Sequence, residues 1–504
     1  LINYSLEPKY QEIFDYLSLK AKEAYKDIDM LSNETLSKNP FSSVFIRQKL
    51  ENSTPSNVDF WFILKKLLTY YKKSFKGFYY YIVNFFIYLR YAKKFDFKAT
   101  GEEIIIVDTF FIIDKVLERQ DGFSDSYFGL DDTFQRLDKE YVYIPVFYGL
   151  FSPAKMREVF SILRKKEYPV VCEYDLLSML DFVRILCFII RYPFKVINFT
   201  SSLDSRQYND RLLHFAMLDG LGAVTFHRYS RYLQGKRFAR FKKTRIKLIS
   251  WYENQTIDKN LYRGMRDSDA DTYIIGTQLF LFSCIYMSAL VDENEISFKT
   301  VPDKVLVNGE YYLPESSIVK FEVGPSLRYK KLFECNIQRS VANEGSILVL
   351  LSYFLEDARN VLEMISHLDS KEKIILKAHP ATDINLLKDL LKTSYMISSV
   401  DIYDLAKEAK LVVASATGAM LELASIGLPI VVVKSKDAFE YNPMTELGDG
   451  VLWYAIGSKE ELLNTIETIS TFNDCGILKK IGNEHKVLFF CEPTEENIKK
   501  AFEL

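Results

Sequence analysis

Residues 374–433 decide how the rest of the chain is read. They run IILKAHPATD from Ile374 and close with LAKEAKLVVASATGAMLELASIGLPIVVV, ending at Val433. Ile374, Ile375, Leu376 and Lys377 form a short, largely apolar run that stops at Ala378-His379-Pro380, where a proline suits a turn or a first helical turn. Residues 411–414, LVVA, are apolar and rich in β-branched side chains, as a strand buried on both faces requires. Ser415-Ala416-Thr417-Gly418-Ala419 follows at once, then a helix over 420–426. Gly427 and Pro429 end that helix before a strand at 430–433. The order is strand, His-Pro turn, helix, strand, small-residue turn, helix, strand.

Two turns at the carboxyl ends of parallel strands, each feeding a helix N-terminus, make an anion site. Helix N-termini carry unpaired N–H groups and partial positive charge. Lys377 and His379 add a charge and a donor. Ser415, Thr417 and Gly418 bring hydroxyls and backbone to a phosphate or ribose, and Glu422 on the next helix is placed to accept from ribose hydroxyls. The competing reading makes His379 a loop histidine and Ser-Ala-Thr-Gly a helix cap. Two such turns, about 35 residues apart on neighbouring strands, favour a ligand crevice.

Lys377-Ala378-His379-Pro380 followed by Ser415-Ala416-Thr417-Gly418 resembles the C-terminal half of GT-B glycosyltransferases, and within them the branch that uses cytidine-nucleotide donors. In the sialyltransferases and the transferases of Kdo (3-deoxy-manno-oct-2-ulosonic acid), a His-Pro motif meets the donor phosphate and a later Ser/Thr turn helps hold the nucleotide. The CDP-glycerol polymerases carry a similar pair. The resemblance covers roughly the last 160 residues. Elsewhere it rests on Trp251-Tyr252-Glu253-Asn254-Gln255, a pattern similar to surface-carbohydrate biosynthesis proteins.

The chain has 504 residues, 48% hydrophobic and 26% charged, so it has room for two or more globular domains. A net charge of −2 argues against a general nucleic-acid binder. Six scattered cysteines without a Cys-x-x-Cys pair read as reduced thiols, and five histidines without clustering make a zinc site unexpected. The first residue is Leu1 rather than Met, so the native start is expected to lie elsewhere. No signal peptide and no run of about 20 apolar residues is visible.

Four regions follow. Residues 1–98 read as a helical N-terminal region. Within it, residues 60–98 hold nine Lys/Arg against one acid, Asp96, among dense aromatics. An amphipathic helix pair at the membrane interface and an ordinary packed helical segment compete for this stretch. Residues 99–311 read as a Rossmann-like acceptor and catalytic domain. Its strands are expected near 103–108, 141–145, 170–172, 195–199, 223–226 and 247–250, and 183–197 is expected in the core. Residues 312–333 read as a linker, and 334–504 as a Rossmann-like nucleotide-donor domain whose last helix crosses back to the first. The fold class is therefore α/β, a GT-B pair of Rossmann-like domains facing a central cleft.

In the first domain, Glu253 ends a predicted strand, and Lys259, Arg263 and Arg266 follow at roughly helical spacing. Glu253 is the catalytic candidate, with Asp204 and Asp219 in reserve. The three cations are candidates for a substrate carboxylate or the acceptor; the alternative is a capping turn with surface cations. Arg228 to Arg245 holds eight Lys/Arg and no acid, either an anion site or a solvated face. Asp267-Ser268-Asp269 reads as an acidic loop rather than a metal motif. In the second domain, Ser352 ends the first strand and joins Lys377, His379, Pro380, Ser415, Thr417, Gly418 and Glu422 in the donor site.

The resemblance implies a glycosyltransferase that is inverting or retaining, works without a cofactor or metal, and moves an ulosonic acid, Kdo first, from a CMP-activated donor. The acceptor is a surface glycan or glycolipid of the lipopolysaccharide, O-antigen or capsule type, and the place is the cytoplasm or the inner leaflet of the membrane. His379 would meet the departing phosphate and Glu253 the oxocarbenium ion. Three alternatives stand beside this: a CDP-glycerol or CDP-ribitol phosphotransferase, a UDP-sugar GT-B enzyme, and a non-catalytic scaffold of polysaccharide assembly.

Overall fold

The computed structural model describes residues 4–92, 94–97, 102–118, 127–149, 152–165, 169–241, 245–335, 345–368, 372–379, 382–436, 441–472 and 474–504. Pro380 lies outside these residues.

Two parallel six-stranded sheets form the frame. The first contains β1 (Glu103–Ile112), β2 (Tyr141–Tyr148), β3 (Arg245–Trp251), β4 (Thr272–Gln278), β5 (Lys304–Val307) and β6 (Lys320–Val323), in the order β2-β1-β3-β4-β5-β6. The second contains β7 (Ser346–Leu351), β8 (Ile374–Ala378), β9 (Met396–Ile397), β10 (Ala409–Ala414), β11 (Ile430–Val433) and β12 (Trp453–Ile456), in the order β12-β11-β10-β7-β8-β9. Every pairing is parallel. Two Rossmann-like halves of this kind are the GT-B architecture expected from the sequence.

The central strands are largely apolar because helices cover both faces. All six residues of β7 are buried, as are all four of β11. One apolar core takes Ile106, Leu248 and Ile274 from the first sheet together with Leu348, Val412 and Leu421 from the second half. The C-terminal helix Glu495–Phe502 returns to the first sheet, where Ile498, Ala501 and Phe502 pack with Val107, Ile249 and Leu306. Lys304 holds Glu503 at 2.6 Å.

Three expected strands are absent among the described residues. Residues 170–172 make only an isolated bridge, Val170 to Tyr143. Residues 195–199 belong to the helix Met179–Ser201, which runs through Pro193. Residues 223–226 lead into the helix Thr225–Gly235. Between β2 and β3 the chain is instead helical, and its apolar faces share a core with the N-terminal helices: Phe182, Ile185 and Leu213 pack with Leu17, Phe45 and Tyr81. The expected linker also contributes a strand, because β6 pairs with β5. Residues 60–91 form one continuous helix, Phe60–Tyr91, rather than a pair.

Candidate active site

In an open α/β sheet, loops diverge where the strand order reverses, and a crevice opens at the carboxyl ends of the strands flanking that point. In the first sheet the reversal lies between β1 and β3, and in the second between β7 and β10. The loop after β3 carries Glu253. The loops after β7 and β10 carry Ser352 and Ser415-Ala416-Thr417-Gly418, and β8 beside β7 delivers His379.

The second-half loops are tied together. The Ser352 hydroxyl donates to the Ala416 carbonyl at 3.4 Å, the Thr382 hydroxyl to the Ser352 carbonyl at 3.0 Å, and the His379 amide to the Leu351 carbonyl at 3.1 Å. Ala416 takes φ +46°, a left-handed turn that costs an alanine about 1 kcal/mol and reverses the chain sharply after β10. The Thr417 hydroxyl oxygen then accepts from the Ala419 amide at 3.4 Å. The His379 ring packs edge-on against Tyr353 at 5.7 Å. Burial lowers the pKa of His379, and the charge of Arg328 lowers it further. The imidazole is therefore neutral at neutral pH and offers a hydrogen bond rather than a charge.

Glu253 is held as firmly. Its carboxylate accepts from Trp251 Nε1 at 2.8 Å, from the Tyr286 hydroxyl at 3.3 Å and from the Gln255 side-chain amide. Burial raises its pKa, against these hydrogen bonds and the Arg328 charge. The turn beneath it is built on two acids. Asp258 accepts from the Glu253 and Gln255 amides at 3.1 and 3.0 Å, and burial pushes its carboxyl up to about 7. Glu295 accepts from the Asn254 side chain at 3.1 Å, and Asn254 sits at φ +53°. Contacts then cross the cleft: Tyr286 meets Phe41 at 5.7 Å, and Phe41 stacks on Phe354 of the second half at 5.7 Å.

Arg328, absent from the sequence expectations, lies between the two groups. Solvent reaches its side chain, yet protein surrounds it on most sides, as in an open cleft. The rings of Tyr127 and Tyr329 each stand 5.9 Å from its guanidinium. Burial opposes its charge, but Tyr329, Glu422, Tyr127 and Glu253 together hold its pKa above the ordinary value. Among the described residues no hydrogen bond or ion pair satisfies it. A cation within electrostatic reach of Glu253, Glu422 and His379, with its donors unpaired, is arranged for an anion. The signal in the sequence was weak but present: residues 324–333, GPSLRYKKLF, contain no acid to pair with an arginine.

Several expected residues have other partners. Lys259 is fully buried and pairs with Glu295 at 2.7 Å. Arg263 pairs with Asp267 at 2.9 Å and donates to the Phe298 carbonyl at 3.0 Å. Arg266 pairs with Asp303 at 2.6 Å. These three cations brace the helix Thr256–Arg266, each through an acidic partner within the protein. Lys377 donates to the Val400 carbonyl at 2.6 Å, so its ammonium anchors a neighbouring loop. Gly418 is small for a packing reason, since a Cβ there would stand 3.2 Å from the Leu281 Cβ of the first half. Glu422 accepts from the Tyr403 hydroxyl at 2.5 Å; burial raises its pKa while Tyr403 and Arg328 lower it.

Asp204 pairs with Arg206 at 3.0 Å, and Asp219 with Lys66. Three cations of the basic stretch 228–245 brace the interior: Arg228 meets Glu34 at 2.6 Å, Arg231 meets Asp108 at 2.5 Å, and Arg237 meets Asp181 at 2.9 Å; Lys242 and Lys243 lie outside the described residues. Among the described residues no three His, Cys, Asp or Glu side chains gather as metal ligands.

No family model and no curated protein matches the chain. Solved structures match over most of its length. UDP-GlcNAc 2-epimerase of Methanocaldococcus jannaschii is similar at 13% identity and TM-score 0.38, over 76% of this chain and 98% of that one. Acinetobacter baumannii MurG is similar at 10% identity and TM-score 0.41, over 80% and 99%. The calicheamicin glycosyltransferase CalG4 is similar at 13% identity and TM-score 0.35, over 80% and 95%. Likenesses this distant decide neither reaction nor donor. What stands is the site itself: two loop clusters at the strand-order reversals of two parallel sheets, with an unpaired arginine between them.

Proposed function

We propose that this chain is a GT-B glycosyltransferase that transfers an ulosonic acid, Kdo first, from a CMP-activated donor to a surface-glycan acceptor. The observation that carries the transferase reading is Arg328, an unpaired cation in the cleft between Glu253 and the His379 turn. The cytidine donor rests on the resemblance of the Lys377–His379 and Ser415–Gly418 segments.

In this reading the donor phosphate lies against Arg328, His379 and the turn at Ser352 and Thr417. The acceptor hydroxyl attacks the anomeric carbon, and the bond from that carbon to the phosphate oxygen breaks. CMP leaves as an anion, with Arg328 and the His379 N–H taking up its charge without a resident metal. Glu253 serves as the base that takes the acceptor proton; as nucleophile it would instead displace CMP, and the acceptor hydroxyl would then displace the Glu253 carboxylate, its proton passing to the released phosphate. Burial raises the pKa of Glu253 above the ordinary carboxyl value, which makes it a stronger base than an exposed glutamate. In the same reading Glu422 accepts from the ribose hydroxyls.

Thermal shifts with CMP, CDP and UDP test the donor class. A nucleotide present at 100 times its Kd stabilises by about 2.7 kcal/mol. A shift with CMP, and transfer from CMP-Kdo to a glycan acceptor, is the expected result. A shift with UDP alone would replace the cytidine donor by a uridine one, and a shift with CDP alone would favour the phosphotransferase. No shift with any of the three would overturn the transferase reading.

A further inference from the structure

The helix Phe60–Tyr91 is amphipathic in an unusual sense. Its inner seam is Tyr70, Ser74, Tyr81, Asn84 and Tyr88, all buried. Its outer stripe, at helical spacing, is Trp61, Leu68, Phe75, Tyr79 and Phe86, which are 72, 62, 43, 63 and 60% exposed. Lys65 and Lys72 interleave with them, and Lys73 and Lys76 flank them. All four are exposed, and none has an ion-pair partner among the described residues. The helix contains no Asp or Glu.

Met179–Ser201 lies antiparallel beside it. The Tyr71 hydroxyl donates to the Ile190 carbonyl at 2.8 Å, and Phe85 meets Phe182 at 4.8 Å. Pro153–Lys165 closes the opposite flank, where Phe160 meets Tyr88 at 5.5 Å. The outer stripe of Met179–Ser201 is Leu180, Val183, Ile190 and Phe194, each about half exposed or more. Its acid, Asp181, is buried and pairs with Arg184 and Arg237. The expected core segment 183–197 thus presents an apolar face to the outside, next to the basic aromatic one. No helix among the described residues is long and apolar enough to cross a membrane.

We propose that these two outer faces together dock the protein on an anionic lipid bilayer. Two adjacent helices with aliphatic side chains, interfacial Trp and Tyr, and unpaired lysines suit a surface with hydrocarbon below and phosphate above. A second copy of the chain fits poorly, because both faces lack acids and a two-fold contact would set lysine against lysine. A purely apolar partner would leave the lysines unanswered. The proposal is independent of which nucleotide the cleft takes.

Flotation with vesicles of phosphatidylglycerol in phosphatidylcholine, against phosphatidylcholine alone, tests it on the full chain. Trp61 supplies a local reporter, because Trp251 and Trp453 are each only 7% exposed. The expected result is co-flotation with anionic vesicles that weakens as salt rises, with a blue shift of emission lost in Trp61→Phe. Each lysine near an anionic surface is worth roughly fivefold in partitioning. The combined K65Q, K72Q, K73Q and K76Q variant should therefore bind on the order of 10²–10³ less, with an unchanged unfolding temperature. Phe86→Ser with Phe194→Ser should weaken binding at any salt. No flotation, or flotation indifferent to both sets of substitutions, would overturn the proposal. So would self-association abolished by the same variants, which would assign the face to a second copy.

Discussion

Replacing Glu295 by Gln removes one charge from the buried cluster that supports the Glu253 turn. Glu295 meets Lys259 at 2.7 Å and Lys38 at 3.3 Å, with all three side chains almost fully buried. Burial alone would raise its pKa, but the two lysines overcome that and hold it at about 2. Moving a carboxyl from an ordinary 4.5 to about 2 is worth roughly 3 kcal/mol. Loss of one partner from a buried pair costs about 3–5 kcal/mol, because the other charge stays behind. At about 2–4 °C per kcal/mol the unfolding temperature of Glu295→Gln should fall by roughly 6–20 °C. The Gln carbonyl keeps the bond to Asn254, so the loss reports charge. A second substitution, Lys38→Met, should return part of the stability. The pH sign is definite: a depressed carboxyl stabilises fully above its unfolded value and loses that contribution as pH falls through about 2. Wild type should therefore lose between about pH 4 and 2 an increment that Glu295→Gln never has. An unfolding temperature within a degree or two of wild type would refute the reasoning.

Two further substitutions act on the chemistry. Glu253→Gln keeps the shape and should lower turnover by several orders of magnitude while CMP affinity moves little; if turnover survives and CMP binding collapses, Glu253 belongs to the nucleotide site. If Glu253 is the base, the wild-type rate should rise with pH through a value above the ordinary carboxyl range, as burial requires. His379→Ala should cost about 10²–10³ in turnover, the usual loss for one donor to a departing charge, and wild-type turnover in the purified variant would rule out its role.

The second half was legible because its strands are buried on both faces. Val431, Val432 and Val433 in β11 leave an uninterrupted apolar run with turn residues on either side, and such a run admits few readings. The insertion between β2 and β3 was not legible. Val196, Ile197 and Phe199 read as a strand by residue type, yet they sit in a helix whose outer stripe is also apolar, so the 3.6-residue period is blurred. Glu253 and His379 stood out in the sequence because each lies within two residues of a strand's carboxyl end. The ion pairs of Lys259 and Arg266 could not be read from the sequence because their partners, Glu295 and Asp303, are remote in it. Arg328 drew no notice for the converse reason: what sets it apart is the lack of a partner, inside a segment read only as a connection.

The central claim is that the cleft holds a nucleotide phosphate on Arg328, and calorimetric titration of CMP into wild type and Arg328→Ala tests it directly. A hydrogen bond to a charged group contributes about 1.5–3 kcal/mol, so the variant should bind roughly ten- to a hundredfold more weakly at unchanged unfolding temperature. Equal affinity in the two proteins, or no heat with wild type, would contradict it.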